Sequence, residues 1–367
     1  MMRVVTVVGT RPQLVKAAAL SRYVRERHVE VLVNTGQHYD YEMSQLLIEE
    51  LSLPSPDYDL GVGSGTHAFQ TGETLMRVER VLLKERPDMV LVYGDTNSTL
   101  AAALAAAKLN MSVGHVEAGI RHHDRSVPEE VNRVVTDALA TLLFCPTEHA
   151  VANLRAEGRS DGVYWTGDVM YDLLLGYVEQ ARRDSRILRR LGLECGRYFV
   201  ATVHRASNTD APDALRNIFS ALIEAEQTVV IPLHPRTRQA LEALGMLEQV
   251  EAAERLLIVP PVGYIDFLAL QMHAALILTD SGGVQKESYL LGVPCVTLRP
   301  YSPWPETVVE GWNMTVSPDK TAILNAIRRA RASDVERSTG AFGNGHAAEA
   351  ICDVLGNWEA TALGTSG

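Results

Sequence analysis

Apolar residues in this chain come in short blocks, and the spacing between them changes in a regular way. Runs of β-branched and aliphatic residues stand at 3–8 (RVVTVV), 29–33 (VEVLV), 88–93 (DMVLVY), 112–117 (SVGHVE) and 141–145 (TLLFC). Continuous apolar runs of this length predict strands covered on both faces. Between them, in stretches such as LVKAAALSRYV and LAAALAAAKL, apolar positions return every three or four residues, the helical period. The alternation predicts βαβ units and a parallel sheet with helices on both sides. After GDVMYD (167–172) and a polar, arginine-rich helix the theme restarts with YFVATVH (198–204), TVVIPLH (228–234), RLLIVPP (255–261), AALILTD (274–280) and PCVTL (294–298). Two Rossmann-like, doubly wound domains account for this, with a boundary in the region 170–195. Residues 1–172 would form the first domain. Residues 173–367 would form the second, its last helix packing back on the first. Such sheets bind ligands at the carboxyl ends of their strands, and junctions between domains favour pockets, so the site is expected in the cleft between the halves.

Composition narrows the function classes. With 367 residues, 46% of them hydrophobic and 22% charged, the chain is long enough for two packed α/β domains. No apolar run reaches the roughly eighteen residues of a membrane helix, and Met1-Met2-Arg3 leads directly into a strand rather than a signal-peptide core, so a cytoplasmic location is expected. A net charge of −11 disfavours a nucleic-acid partner. Cys145, Cys195, Cys295 and Cys352 are scattered without a CxxC pair, which reads as reduced thiols rather than a disulfide framework or structural zinc. No GxGxxG follows the first strand and no HExxH occurs, so no nicotinamide cofactor and no metal are expected.

Candidate chemistry clusters where strands give way to helices. GTRPQLVK (9–16) places Arg11 and Lys16 around a helix start, where uncapped N–H groups and two cations can hold a phosphate; a plain strand-to-helix loop fits equally well. YGDTNST (93–99) puts Asp95 at a strand end before four polar residues, one of which suffices as an N-cap. His115 and Glu117 are two apart and should share a strand face. Ser126-Val127-Pro128-Glu129 fits a capping box that would occupy Glu129 structurally, and Glu129 and Arg133 are spaced for a helical ion pair. Further on, His204 with Arg205 and His234 with Arg236 close two strands, an arrangement suited to an anion pocket. TDSGGVQKES (279–288) reads as a strand, a Ser-Gly-Gly turn and a helix, the pattern of a diphosphate cradle, with Glu287 one turn further in.

Taken in order, GTRPQLVK, TGQHYD, YGDTNSTLA, HVEAGIR, PEEVNRVVTD, TVHRASNTD, PLHPRT, TDSGGVQKES and FGNGHA resemble the non-hydrolysing UDP-N-acetylglucosamine 2-epimerase family, from about residue 3 to 350. The resemblance implies a two-domain fold of the glycosyltransferase B kind, no redox cofactor and a homodimer. It also implies anti elimination of UDP from a UDP-2-acetamido sugar and re-addition to the opposite face of a 2-acetamidoglucal. By the same resemblance Asp95, Glu117 and Glu129 are the acidic trio, with His204 beside the diphosphate. Arg11, Lys16, Arg133 and His234 belong to the substrate site. Ser281, Gly282 and Gly283 form the phosphate loop, Glu287 meets the ribose, and the backbone at Phe267 meets uracil.

The chain departs from the family pattern at several places. Gln13 stands where many members have Glu, Ser207 replaces the Glu of HR-x-E-N, and Trp304 replaces the Arg of T-E-R-P-E. Gln13, GDTNST, PVGY and Trp304 resemble the branch acting on UDP-2,3-diacetamido-2,3-dideoxyglucuronate. QHYDYEMS (37–44) differs from the segment that some bacterial members use for allosteric UDP-sugar binding. UDP-GlcNAc to UDP-ManNAc is the leading expectation and the glucuronate the alternative. A hydrolysing epimerase, a glycosyltransferase and a nucleotide-sugar binding module without catalysis are more distant readings.

Overall fold

A computed structural model of the chain describes residues 1–37, 48, 50–331 and 340–364; positions 38–44, which carry most of QHYDYEMS, lie outside them. The chain divides into two compact units, Met1–Leu175 together with Thr339–Gly367, and Gly176–Ser338. Each is a parallel sheet covered by helices.

In the first unit the strands are β1 (Arg3–Val8), β2 (Val29–Asn34), β3 (Tyr58–Asp59), β4 (Met89–Tyr93), β5 (Ser112–Val116), β6 (Leu142–Cys145) and β7 (Val163–Trp165). They lie side by side in the order β3-β2-β1-β4-β5-β6-β7. β4 is buried at every position and β1 at every position after the first, because helices cover both faces and neither side needs polar residues. β1 and β4 run parallel with Val7 opposite Val92, so their carboxyl ends finish level. The order reverses between these two strands. A crevice opens at such a switch point because the helices that follow the two strands leave on opposite faces.

Helix starts in this unit follow local chemistry. Thr10 caps the helix Arg11–Arg27 with Gln13 folded back over it. Thr96 caps Asn97–Lys108, its hydroxyl accepting from the Thr99 amide at 3.3 Å. The helix Ala347–Gly364 also belongs to this unit and packs on Arg11–Arg27, where Arg27 pairs with Asp353. Its first amides, from Ala347 and Ala348, donate to the Asp172 carboxylate at 3.0 and 2.7 Å, a carboxylate cap at a positive helix end.

The second unit repeats the plan with β8 (Tyr198–Thr202), β9 (Thr228–Pro232), β10 (Leu256–Val259), β11 (Leu276–Thr279), β12 (Cys295–Thr297) and β13 (Asn313–Thr315), in the order β10-β9-β8-β11-β12-β13. Phe199, Leu215, Ile218, Phe219, Leu222 and Leu241 are fully buried between sheet and helices. Each such side chain contributes roughly 1.5–3 kcal/mol through burial. The switch point here lies between β8 and β11, which pair in parallel from Leu276 opposite Phe199 to Thr279 opposite Thr202. No helix among the described residues is long and apolar enough to cross a membrane.

Candidate functional site

Every candidate residue named from the sequence lies in one of the two units, and most lie at the two switch points. In the first unit, Gly94 leaves β4 with φ +62°, and an added Cβ would stand 2.9 Å from the Lys16 ammonium and 3.4 Å from Glu117 Oε1. Only glycine satisfies both the left-handed backbone and the lack of space. Lys16, arriving from the helix after β1, meets Glu117 Oε1 at 2.6 Å, and both side chains are largely buried. Asp95 follows Gly94, and its carboxylate pairs with Arg133. The Asp95 carbonyl accepts from Asn132 Nδ2 at 2.9 Å. Lys16, Asp95, Glu117 and Arg133 thus form one charged group. Burial alone would lower the Arg133 pKa, but the surrounding Asp95, Glu130 and Glu117 carboxylates outweigh it and raise the value.

Glu117 does not share a strand face with His115. β5 ends at Val116, and Glu117 adopts φ +73°, so the two-residue alternation stops before it. A left-handed non-glycine residue costs about 1–3 kcal/mol. Here the backbone is held in place because both the Glu117 and Ala118 amides donate to the Phe144 carbonyl, at 3.1 and 3.0 Å. His115 turns into the protein instead. Its Nδ1 lies 2.6 Å from Asp137 Oδ1 and its Nε2 2.7 Å from the Gly94 carbonyl. Asp137 Oδ2 takes the Gly119 amide at 3.1 Å and Arg121 at 2.7 Å. One buried carboxylate therefore ties together the turns that carry Asp95 and Glu117. Burial raises the pKa of Asp137, and His115 and Arg121 more than offset it, leaving the group below its ordinary value.

The capping box expected at Ser126 and Glu129 is absent. Pro128 takes the first helical position, so Val127 is the N-cap of Pro128–Leu139, one residue too late for Ser126 to serve. The Ser126 hydroxyl donates to Asp124 Oδ1 at 2.7 Å instead. Glu129 is half-buried in the first turn of that helix. Arg133, spaced for Glu129, reaches Glu130 Oε2 at 3.3 Å as well as Asp95. Glu130 also accepts the His122 and His123 amides, each at 2.9 Å. Arg11 is half-buried at the first position of its helix.

In the second unit the loop after β8 carries His204 and Arg205, and the turn after β11 carries Asp280, Ser281, Gly282 and Gly283. Asp280 is fully buried. Its oxygens accept the His204 amide at 3.0 and 3.1 Å, the Arg205 amide at 3.0 Å and Asn208 Nδ2 at 3.1 Å, so it anchors the loop that presents His204. Ser281 is the N-cap of Gly282–Leu291 but makes no side-chain cap bond to the first turn. The His204 and His234 rings stand 5.5 Å apart. Glu287 is buried, with Oε2 accepting from Gln271 Nε2 at 2.7 Å. Phe267 is half-buried in the helix Tyr264–Met272, its amide donating to the Gly263 carbonyl at 3.0 Å. Arg236 departs from the expected anion pocket: its guanidinium binds Asp210 at 2.7 and 2.8 Å and Thr209 Oγ1 at 2.9 Å, so it organises a neighbouring loop.

The sequence motifs assign no role to three organising residues: Asp137 and Asp280, which close PEEVNRVVTD and AALILTD, and Gln271, which lies outside them. Each acts on a partner at least 16 positions away. No cluster of His, Cys, Asp or Glu among the described residues could hold a metal ion.

Comparison with known proteins agrees with this fold. The family model for UDP-N-acetylglucosamine 2-epimerase matches residues 22–356. A Methanococcus maripaludis protein described as a UDP-N-acetylglucosamine 2-epimerase homolog is 48% identical over 97% of this chain and 100% of its own length. The UDP-2,3-diacetamido-2,3-dideoxy-D-glucuronate 2-epimerase of Pseudomonas aeruginosa is 41% identical over 96% of this chain and 99% of its own. The crystal structure of Methanocaldococcus jannaschii UDP-GlcNAc 2-epimerase, in complex with UDP-GlcNAc and UDP, superposes with a TM-score of 0.93 at 39% identity, covering 97% of this chain and 100% of that one. With two parallel-sheet units of the expected kind and a match along nearly its whole length, the chain belongs to the UDP-N-acetylglucosamine 2-epimerase family, a family of isomerases.

Proposed function

We propose that this protein inverts C2 of a UDP-2-acetamido sugar, interconverting UDP-GlcNAc and UDP-ManNAc by anti elimination of UDP and re-addition to a 2-acetamidoglucal. The observation that carries the reading is the charged group at the first switch point, where Lys16, Asp95, Glu117 and Arg133 converge on strand ends. Removing and returning one carbon-bound proton needs acid–base groups, and Asp95, Glu117 and Glu129 supply them. Such groups provide about 10²–10⁴-fold, whereas enzyme accelerations commonly begin near 10⁶-fold. Stabilising the departing diphosphate supplies the remainder, at about 10²–10³-fold per well-placed donor. That task falls to the second unit: Ser281, Gly282 and Gly283 with His204 and His234 at the diphosphate, Glu287 at the ribose, and the backbone at Phe267 at the base. Arg11 assists at the nucleotide, and no cofactor enters the scheme.

A second substrate has support of its own. The relative from Pseudomonas aeruginosa, 41% identical, is described as acting on a diacetamido glucuronate, and Gln13 and Trp304 agree with that branch. NMR of the protein with each UDP-sugar in D₂O decides between them. A two-way mixture of UDP-sugars with deuterium at C2 is expected for the true substrate, and product that retains the C2 proton rules out elimination. Free sugar would indicate a hydrolysing enzyme.

Phe69, Met76 and Leu83 recur every seventh residue on the helix His67–Glu85 and are 47–54% exposed. This apolar stripe supports a homodimer, which light scattering tests directly.

A further inference from the structure

The turn after β11 is braced by a segment to which the proposed reaction gives no role. Ser302, Pro303 and Trp304 follow β12 and lie against the first turn of Gly282–Leu291. The Trp304 indole Nε1–H donates to the Gly282 carbonyl at 2.8 Å. The Ser302 hydroxyl donates to Gln285 Oε1 at 2.6 Å and accepts the Trp304 amide at 3.0 Å. A Cβ on Gly282 would stand 3.4 Å from Pro303 Cγ and 3.5 Å from the indole nitrogen, so the segment is in van der Waals contact with the turn.

The helix itself contributes a cation on the same side. Lys286 lies four residues beyond Gly282 and shares its face. Its ammonium stands 4.2 Å from the centroid of the Trp304 ring, with Lys286 1% and Trp304 4% exposed. Lysines are almost never buried this completely without compensation. An indole face attracts a cation, and more strongly where water is excluded.

Both contacts bear on the diphosphate. A peptide unit is planar, so the Gly282 carbonyl and the Gly283 N–H point in opposite directions within one plane. This peptide opens the helix Gly282–Leu291, and two successive glycines make that first turn prone to fraying. By occupying the carbonyl, the indole fixes the direction of the Gly283 N–H. By facing the ammonium, it holds a positive charge beside a helix end that already favours anions.

We propose that Trp304 is a positioning residue for the diphosphate: it orients the Gly282–Gly283 peptide through its indole N–H and holds the Lys286 ammonium beneath its ring. This rests on the UDP-sugar reading above. Trp304→Phe keeps a ring face and removes the donor, while Lys286→Met keeps side-chain length and removes the charge. UDP affinity is measured by calorimetry and uridine affinity by ligand-observed NMR in the full chain. Each variant should bind UDP on the order of tenfold more weakly, about 1.4 kcal/mol, with uridine binding unchanged. The double variant should lose less than the product of the single losses, because the two groups share one network. Equal losses for UDP and uridine would reduce Trp304 to a general structural role, and unchanged UDP affinity in Trp304→Phe would also overturn the proposal. In a wild-type protein that binds UDP, either of these outcomes overturns this inference alone, whereas a wild-type protein that does not bind UDP would remove the UDP-sugar reading beneath it.

Discussion

The two units share a sheet plan and a switch point, yet they equip that point differently. In the first, charged side chains do the visible work: Lys16 with Glu117, Asp95 with Arg133, and a left-handed Glu117 backbone. In the second, the acid at the equivalent strand end, Asp280, is fully buried and spends its oxygens on the loop beside it, and what the strand end offers is a half-buried Ser-Gly-Gly turn. The same architecture therefore offers ionisable groups on one side and oriented N–H groups on the other. What differs is whether the carboxylate that leaves the strand faces out or is consumed by the loop next to it.

That contrast can be broken from either side, beginning with the largest effect. Glu117→Gln removes an acid–base group, and turnover should fall on the order of 10²-fold or more, while calorimetric UDP affinity stays within about twofold because the second unit is untouched. A similar loss of UDP affinity would erase the division of labour. Asp280→Asn should act in the opposite way. It places an amide NH₂ against amides that need acceptors, so about 1–3 kcal/mol of stability is lost in urea titration, and UDP binding weakens with it. The smallest effect belongs to Gln13, whose Nε2 donates to the Tyr93 carbonyl at 2.8 Å and to Thr99 Oγ1 at 2.9 Å, while its Oε1 accepts the Gly9 amide at 2.9 Å. A carboxylate in its place has no proton to give, so Gln13→Glu makes the folded state favour the protonated acid. The folded pKa then lies above the unfolded value of about 4.3, and stability declines as pH rises between the two. Thermal melts should match the wild type near pH 4 and fall behind by about 1 kcal/mol at pH 8. Curves that stay parallel would mean that the tie is dispensable.

Much of the fold could be read from the chain because its strands are buried on both faces and so appear as unbroken apolar runs. RVVTVV is β1 without a residue's error, and PCVTL overshoots β12 by one residue at each end. Of the four edge strands, β10 stood out as RLLIVPP but the other three did not. β3, β7 and β13 have two or three residues each, too short to display a period, and pairing with a neighbour defines them. At the candidate site, residue types at strand ends could be recognised, since glycine, acid and cation in a tight turn have few other uses. Their supports could not. Asp137 meets His115 across 22 positions and Asp280 meets His204 across 76, and nothing local distinguishes such an acid from a solvated one. The Ser126 capping box failed for a related reason, because a proline two positions later set where the helix began.

The helix Ala347–Gly364 lies in the unit begun by β1, although the whole of Gly176–Ser338 separates it from the rest of that unit in the chain. During synthesis the middle segment emerges complete while the earlier portion still lacks the layer that shields Arg11–Arg27. Domains generally fold as units as they leave the ribosome, so the part made later can finish first. The part made earlier must wait, with an apolar helix face bare, until Ala347–Gly364 has been made.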